Sequence, residues 1–396
     1  MAKMVLYKGQ SQYGALRVHI DQLAEAFRLL GHTPVVIDLV ENDALTQLEN
    51  ALTSGSNFVF SLNAIGIDFK VGERSLYDVV NIPFVTALVD HPHYHIERLN
   101  NKISKSAVTC LDHSHLRFLS NYYPSNHFKV KAFWMPGGST VREKTDQDVD
   151  SFLRQRTIPL LFTGSYRGVP KRTWSGSGLR SVPNIMDDVC DLMLSHDYLA
   201  AEDALDEVLK HRGIVFSEDQ RKIMHKYCLE QVGRYIEAYR RHLCLESLGK
   251  AGVPMEIYGN GWDGLSEKWP TFRFKGTGSV EETLDLQQQS KICLHTNNNF
   301  VEGGHERVFN AMTNGAAVVS ETSLFYDNAF ENGKEMIAFS WKDLNDLPER
   351  IMHYLDNPET LWEIANAGHQ KAKLEHSWVR RAEQILDLFE LANIDV

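Results

Sequence analysis

Short apolar runs alternate with amphipathic stretches along the first third of the chain. The first run covers residues 4–7, apolar side chains then recur at helical spacing over residues 17–30, and a second run covers residues 34–39. Strand, helix and strand at this spacing predict a βαβ unit, which implies a parallel sheet. Further strands are predicted at residues 57–62, 83–89, 107–111 and 129–133. We therefore predict a doubly wound α/β domain over residues 1–140.

The pattern restarts at residue 158 and predicts a second α/β domain over residues 141–376. Its strands are predicted at residues 158–164, 255–259, 273–275, 291–295, 316–320 and 336–339. Residues 168–252 are mostly helical in pattern and far longer than a usual crossover. We interpret them as a helical insertion that caps the ligand site and selects the acceptor, or that forms a homo-oligomer contact. The amphipathic segment at residues 377–396 is expected to form a C-terminal helix that packs back toward the first domain.

Composition narrows the classes of function. A formal net charge of −11 argues against a general nucleic-acid binder and against a protein of anionic membrane surfaces, although it allows a local basic pocket. No apolar run approaches the ~18 residues of a transmembrane helix, and no secretory signal is recognisable. The five cysteines lie far apart and form no CxxC pair, which favours reduced thiols and a cytoplasmic location.

The most informative stretch follows the predicted strand at residues 291–295. A polar loop leads to Glu302, then to Gly303 and Gly304, and then to a short predicted helix. A helix that begins behind two glycines presents free backbone N–H groups and the positive end of its dipole. These features predict a site for a phosphate or another anion, with the Glu302 carboxylate at its mouth.

Several motifs resemble one family, the GT-B glycosyltransferases, and most closely their group-1-like, CgeB-like branch. The motifs are PLLFTGSY at residues 159–166, IYGNGW at residues 257–262 and ERVFNAMTNGAAVVS at residues 306–320. The resemblance is strongest over residues 255–390 and only architectural over residues 1–140. It implies the GT-B fold class: two doubly wound Rossmann-like α/β domains that face each other across a cleft. It also implies a nucleotide-sugar donor on the second domain, no bound metal and no cofactor.

The resemblance also implies which residues bind the donor. Group-1 relatives carry two glutamates eight positions apart, the first on the donor sugar and the second on the ribose. Glu302 matches the first position, whereas the second is Asn310, which lacks the charge that accepts two hydroxyls well. The full predicted donor set is Gly164, Arg167, Lys171, Gly259, Gly303, Gly304, His305, Arg307 and Asn310.

Three cations, Arg167, Lys171 and Arg172, follow the first strand of the second domain. In the family, cations near this position neutralise the departing diphosphate, whose negative charge grows as the glycosidic bond breaks. The alternative is an ordinary solvated loop. Arg307 lies in the first turns of its predicted helix, where the dipole disfavours a cation. We therefore expect an anionic partner for it, either a carboxylate or a phosphate.

The first domain carries candidate chemistry after its fourth predicted strand. Asp90 and His91 lie at the carboxyl end of that strand, and a histidine there could act as a general base oriented by a carboxylate. The alternative is a histidine satisfied by a backbone carbonyl. Three histidines within residues 91–95 raise the possibility of a metal site. The irregular loop argues against one, and so does the lack of cysteine, aspartate or glutamate residues at a spacing typical of metal ligands. Asp112 is predicted to be the N-cap of the helix that follows it.

The loop after the first strand is the acceptor-side loop in GT-B proteins, and Gln12, Tyr13 and Gly14 are the candidates within it. A GxGxxG motif at this place would indicate NAD or FAD, and the sequence has none. No dinucleotide cofactor is therefore expected.

The resemblance, together with these features, implies a soluble, metal-independent glycosyltransferase of the hexosyltransferase type. It would use a nucleotide-diphosphate sugar, with UDP as the expected nucleotide, and an acceptor that is a glycan, a protein or a small molecule. Two alternatives stay open. One is a nucleotide-sugar epimerase or a sugar phosphorylase on the same fold. The other is a degenerate module that binds a nucleotide sugar or a partner, which Asn310 favours.

Overall fold

The computed structural model describes all residues except 12, 141, 177–180, 263–264, 266, 298–299 and 393–396. The chain divides into two compact units. Unit 1 comprises Met1–Ser139 with Leu374–Val396, and unit 2 comprises Thr140–Lys373. Each unit contains a six-stranded parallel sheet.

Unit 1 contains the strands predicted for the first domain, with ends that shift by one or two residues. Its strands are β1 (Lys3–Lys8), β2 (Thr33–Asp38), β3 (Phe58–Leu62), β4 (Lys70–Val71), β5 (Arg74–Ser75), β6 (Phe84–Leu88), β7 (Ser106–Cys110) and β8 (Val130–Phe133). Its first helices are α1 (Ala15–Leu29), α2 (Ala44–Thr53), α3 (Leu76–Val79), α4 (Ile96–Leu99) and α5 (His113–Tyr122). The sheet order is β2-β1-β3-β6-β7-β8, and β4 pairs antiparallel with β5. Asp112 is the N-cap of α5, as predicted, because its carboxylate accepts from the Ser114 backbone N–H.

Unit 2 likewise contains the predicted strands. They are β9 (Ile158–Thr163), β10 (Met255–Tyr258), β11 (Phe272–Phe274), β12 (Ser290–His295), β13 (Ala317–Glu321) and β14 (Ile337–Phe339). The helices of unit 2 are α6 (Val149–Gln155), α7 (Ser181–Leu194), α8 (Ala201–Arg212), α9 (Glu218–Ile223), α10 (Glu230–Lys250), α11 (Val280–Gln288), α12 (Glu306–Thr313), α13 (Leu324–Ala329), α14 (Leu347–Asp356) and most of α15 (Pro358–Glu375), and the last helix of the chain is α16 (Trp378–Ala392). The sheet order is β11-β10-β9-β12-β13-β14. Helix α15 runs across the chain boundary between the units, and α16 belongs to unit 1.

The predicted insertion is helical and has an apolar core of its own. Helices α7, α8 and α10 bury side chains such as Val189, Leu205 and Ile236 against one another. A π-helical segment, Met224–Leu229, joins α9 to α10.

Helix α16 completes the core of unit 1. It packs beside α1, and the ring centroid of Phe389 lies 4.6 Å from that of Phe58 in β3. The indole N–H of Trp378 donates to the Ser139 hydroxyl at 2.9 Å. The amphipathic pattern of the C-terminal segment is therefore explained by burial against the sheet of unit 1. Among the described helices, none combines the length and the apolar character needed to cross a membrane.

Arg156 is a buried charged residue of unit 2 that needs several hydrogen-bond partners. Its guanidinium is 2% exposed and lies 3.1 Å from the Asp146 carboxylate. It also donates to backbone carbonyls at the ends of α11 and α12, those of Gln287 at 3.1 Å and Asn314 at 2.9 Å. With the Ser290 carbonyl, to which it donates at 2.9 Å, one side chain thereby binds a buried carboxylate and three backbone carbonyls.

We expect Arg156→Met to destabilise the protein by about 3–5 kcal/mol, because it leaves the buried Asp146 carboxylate without its guanidinium partner. Urea-induced unfolding measures the change. Arg273→Met is the matched control, because the Arg273 side chain is 75% exposed and lies 3.9 Å from its carboxylate partner. Equal midpoints for the two variants would contradict the central role of Arg156.

Candidate functional site

Three strands of unit 2 end side by side at one edge of the sheet. Because β9 lies between β10 and β12, the residues after these strands are neighbours. Thr163 ends β9 and His295 ends β12. In open parallel sheets, ligands bind beyond the carboxyl ends of the strands. This edge is therefore the candidate site.

The glycines after β9 and β10 allow two loops of the chain to touch. Gly259 has a φ of 152°, and a Cβ atom built on it would lie 2.1 Å from the Gly164 carbonyl oxygen. The Gly164 N–H donates to the Tyr258 carbonyl at 2.8 Å, and the Trp262 indole N–H donates to the Gly164 carbonyl at 3.0 Å. The close approach at Gly259 is made by the chain itself, and the donor contact of Gly259 stays a prediction. Trp262 is a core residue at 4% exposure.

The Gly303-Gly304 turn precedes α12, but the helix begins later than the glycines suggest. Its N-cap is His305 and its first residue is Glu306. The His305 Nδ1 atom lies 3.3 Å from the Arg307 backbone nitrogen and 2.6 Å from a Glu306 carboxylate oxygen. One nitrogen cannot accept from the N–H and donate to the carboxylate at once. The shorter contact favours a proton on Nδ1, which then donates to the Glu306 carboxylate.

Two guanidinium groups approach the end of β9 from different helices. Arg307, on α12, donates to the Thr163 carbonyl at 3.1 Å. Arg241, on α10 of the insertion, donates to the Ser165 carbonyl at 3.0 Å and pairs with Glu237 at 3.0 Å. Cations from two separate helices thus converge on one loop.

These cations lie close enough to influence each other. Burial lowers the pKa of Arg241, the Glu237 carboxylate opposes that shift, and the positive charges of Arg307 and Arg167 add to it. A guanidinium nevertheless keeps its charge at neutral pH. Mutually repelling cations at the end of a strand favour an anion in front of them.

His295 lies behind these cations as a neutral ring. It is 5% exposed, and its ring centroid lies 4.9 Å from that of His305. Burial lowers the pKa of His295 well below its usual range, and the positive charges of His305 and Arg307 lower it further. Its Nε2 atom has no hydrogen-bond partner in the described part of the chain. His295 and Arg307 line one small cavity together with Thr163.

The other predicted donor residues are placed differently. Arg167 and Lys171 are exposed, and Glu302 is half-buried. Arg172 pairs with Asp187 at 3.0 Å and with Asp191, so it ties the β9 loop to α7. The three neighbouring cations therefore do not act as one group. Asn310 is 8% exposed within α12, and its ribose contact stays a prediction.

Asp90 and His91 do not form the predicted pair of base and carboxylate. The Asp90 carboxylate accepts from the Asn63 amide at 2.8 Å, and the imidazole that approaches it is that of His95, at 3.7 Å. His91 Nδ1 accepts from the His93 backbone N–H at 3.1 Å, which places the proton of the neutral ring on Nε2. His91 Nδ1 is thus engaged by the backbone in this arrangement, and the catalytic role of Asp90 and His91 stays a prediction.

The remaining unit 1 predictions concern metal and acceptor. No group of three or more His, Cys, Asp or Glu side chains is arranged to hold a metal ion within the described ranges. Gln12 lies outside the described residues. Tyr13 is 53% exposed, and Gly14 is the N-cap of α1 with a φ of 80°. Their acceptor role stays a prediction.

Arg241 and His295 were missed from the sequence. Arg241 is distant in sequence from every recognised motif, and its only local signal is a pair of adjacent arginines in a helical stretch. His295 is the last residue of an apolar strand, and the sequence pattern gave no reason to separate it from that strand. Their place in the site depends on how segments distant in sequence pack together, and no local sequence pattern indicates that packing.

We expect His295 to make the protein sensitive to acid. Because its folded pKa is depressed, its neutral form stabilises the fold above the unfolded pKa of about 6.5, and this contribution is lost as the pH falls below that value. The loss should reach about 1.4 kcal/mol per pH unit. His295→Leu should flatten the decline of unfolding free energy between pH 6.5 and 5, and His353→Leu, at an exposed position on α14, should not. An unchanged slope in His295→Leu would refute this assignment.

Comparison with known proteins supports the architecture. Residues 240–387 match a family model described as glycosyl transferase-like. HepE of Anabaena, solved in complex with UDP-glucose, is 12% identical over 99% of this chain and 100% of its own, with a TM-score of 0.56. Sucrose-phosphate synthase from Thermosynechococcus elongatus is 10% identical over 99% of both chains, with a TM-score of 0.54. No curated protein matches the sequence.

A third similar structure is AviGT4, a glycosyltransferase involved in avilamycin A biosynthesis. It is 12% identical over 98% of this chain and 97% of its own, with a TM-score of 0.53. At such identities the structures establish the fold, whereas the CgeB-like branch stays a prediction. The chain has the GT-B fold, and residues 240–387 are similar to the glycosyl transferase-like family.

Proposed function

We propose that this protein transfers a sugar from a UDP-linked sugar to an acceptor. The observation that carries the proposal is the convergence of Arg307 and Arg241 on the loop after β9, which itself carries the exposed Arg167. A diphosphate is the anion expected in front of such a group. The structure of HepE with UDP-glucose supports UDP as the nucleotide.

The proposed chemistry follows from where charge develops. As the bond between sugar and diphosphate breaks, negative charge accumulates on the leaving UDP. Fixed cations lower that barrier because they need no reorganisation during the reaction. Arg307 and Arg241 are held in advance by the carbonyls of Thr163 and Ser165. We propose that these guanidinium groups balance the leaving charge, so that neither a metal ion nor a cofactor is needed.

Glu302 is the proposed contact to the donor sugar, and the sugar is proposed to be a hexose. The carboxylate directly precedes the Gly303-Gly304 turn, whose peptide groups would face the diphosphate. We leave the acceptor open among a glycan, a protein and a small molecule. All five cysteines are free and buried, which suits the proposed cytoplasmic location.

We expect UDP and UDP-sugars to stabilise the protein more than GDP, ADP, CMP or dTDP species do. A ligand at one hundred times its dissociation constant adds about 2.7 kcal/mol to the unfolding free energy. Arg307→Gln and Arg241→Gln should each weaken UDP binding by roughly 10–100-fold, because each removes a charged hydrogen-bond donor worth about 1.5–3 kcal/mol. Calorimetric titration and thermal shifts measure both effects.

Arg221→Gln is the matched control for these substitutions. Arg221 pairs with Asp206 on the surface of the insertion, and its loss should leave UDP binding unchanged. If both site variants bind UDP as the wild type does, the cations do not hold the diphosphate. If no nucleotide binds the wild type, the proposed function is wrong and a partner-binding module is the better interpretation.

We expect Glu302→Ala to separate the sugar from the nucleotide. Its affinity for UDP should stay at the wild-type value, while the additional affinity for the sugar-bearing donor and the rate of transfer both fall. The control is Glu331→Ala, a surface carboxylate with a 65% exposed side chain. Equal losses for UDP and UDP-sugar would place Glu302 on the nucleotide instead.

The same assay distinguishes the alternative reactions. An epimerase would turn over the donor with no acceptor present, and a phosphorylase would require inorganic phosphate. Donor binding with no turnover under any of these conditions would favour the degenerate module.

A further inference from the structure

The hydroxyl of Tyr326 lies beneath the Gly303-Gly304 turn. Tyr326 belongs to α13 and is 1% exposed. Its O–H donates to the side-chain oxygen of Asn297 at 3.1 Å, and its oxygen accepts from the His305 backbone N–H at 2.8 Å. One buried oxygen thereby joins the first and last parts of the loop that connects β12 to α12.

The connection between β13 and α13 holds the same loop at further points. The Ser323 hydroxyl donates to the Gly303 carbonyl at 2.6 Å, and the Leu324 N–H donates to the Val301 carbonyl at 3.0 Å. A Cβ atom on Gly304 would lie 2.9 Å from the Tyr326 ring. The glycine is thus required by the tyrosine ring below the turn.

A buried carboxylate also holds Asn297, at the start of the loop between β12 and α12. Glu321, at the end of β13, accepts from the Asn297 backbone N–H and from the Trp341 indole N–H at 2.6 Å. Burial raises the pKa of Glu321, and the positive charge of Arg240 opposes that shift. Asn297 is therefore held through its backbone by Glu321 and through its side chain by Tyr326.

We propose that Tyr326 is a positioning residue whose hydroxyl fixes the Gly303-Gly304 turn in the geometry that binds the donor. The donor part of this inference rests on the proposed function. Without the hydroxyl, the His305 N–H and the Asn297 side-chain oxygen would be buried without their partner, and the turn would shift to reach water. A displacement of about 1 Å in a substrate-positioning element can cost roughly 100-fold in rate.

Tyr326→Phe tests the inference, because it removes one oxygen and keeps the ring under Gly304. Tyr77→Phe is the matched control. Tyr77 is also 1% exposed, and its hydroxyl is hydrogen-bonded to the Gly66 carbonyl and the Tyr7 hydroxyl in unit 1. Both variants should lower the melting temperature by similar amounts, so a general loss of stability is shared between them.

The distinguishing readouts are local exchange and kinetics. In Tyr326→Phe without ligand, amide hydrogen exchange over residues 303–307 should accelerate by about tenfold, the factor that corresponds to 1.4 kcal/mol of lost protection. With UDP-glucose, kcat should fall by more than KM rises, because the turn positions the reacting sugar. Tyr77→Phe should change neither the exchange of this segment nor the ratio of kcat to KM.

Unchanged exchange over residues 303–307 in Tyr326→Phe would overturn the inference, whatever the donor. Faster exchange with wild-type kinetics would also overturn it, since the turn would then be free to move without affecting transfer. If the wild type neither binds nor turns over UDP-sugars, the proposed function fails and the donor role of Tyr326 fails with it. In that case the exchange measurement still decides whether the hydroxyl fixes the turn.

Discussion

Buried backbone groups must find hydrogen-bond partners, and this requirement shapes the carboxyl edge of the second sheet. The turn at Gly303 and Gly304 is buried although it belongs to a loop. Water is therefore largely replaced by side chains such as Ser323 and Tyr326 as the partners of its peptide groups. A loop held in this way has one defined geometry, as a site that must align a ligand with a carboxylate needs.

The same edge concentrates charge that the fold leaves only partly balanced. Arg241 is buried and has Glu237 beside it, yet Arg307 and Arg167 are near enough to oppose its charge. Because burial lowers the pKa of His295, its ring stays neutral and adds no further positive charge beside Arg241 and Arg307. The insertion contributes Arg241 to this group. It is thus part of the site as well as an addition to the domain.

The architecture was accessible from the sequence because parallel strands have a local signature. β9 and β12 are short apolar runs, and Asp112 is the N-cap that its position before a helix predicted. The side-chain partnerships were not accessible. Arg172 was grouped with Arg167 by proximity in the chain, but carboxylates on α7 bind it in space.

The partners of Asp90 and His91 were inaccessible for a similar reason. Spacing placed both residues at the end of one strand, but ring orientation depends on which backbone N–H each imidazole meets. His91 meets that of His93, and His95 approaches the carboxylate instead. Sequence position can thus indicate which edge of a sheet carries chemistry, whereas the tautomer and the partner of each ring follow from packing.

The place of α16 in unit 1 has a consequence for biosynthesis. The strands of that unit are all made before residue 140, whereas the helix that covers them follows only after residues 140–373 have been translated. At ribosomal speeds of about 5–20 residues per second, the interval is on the order of tens of seconds. During that time the apolar surface around Phe58 lacks its final cover. The nascent chain would therefore expose a binding site for chaperones that the finished protein conceals.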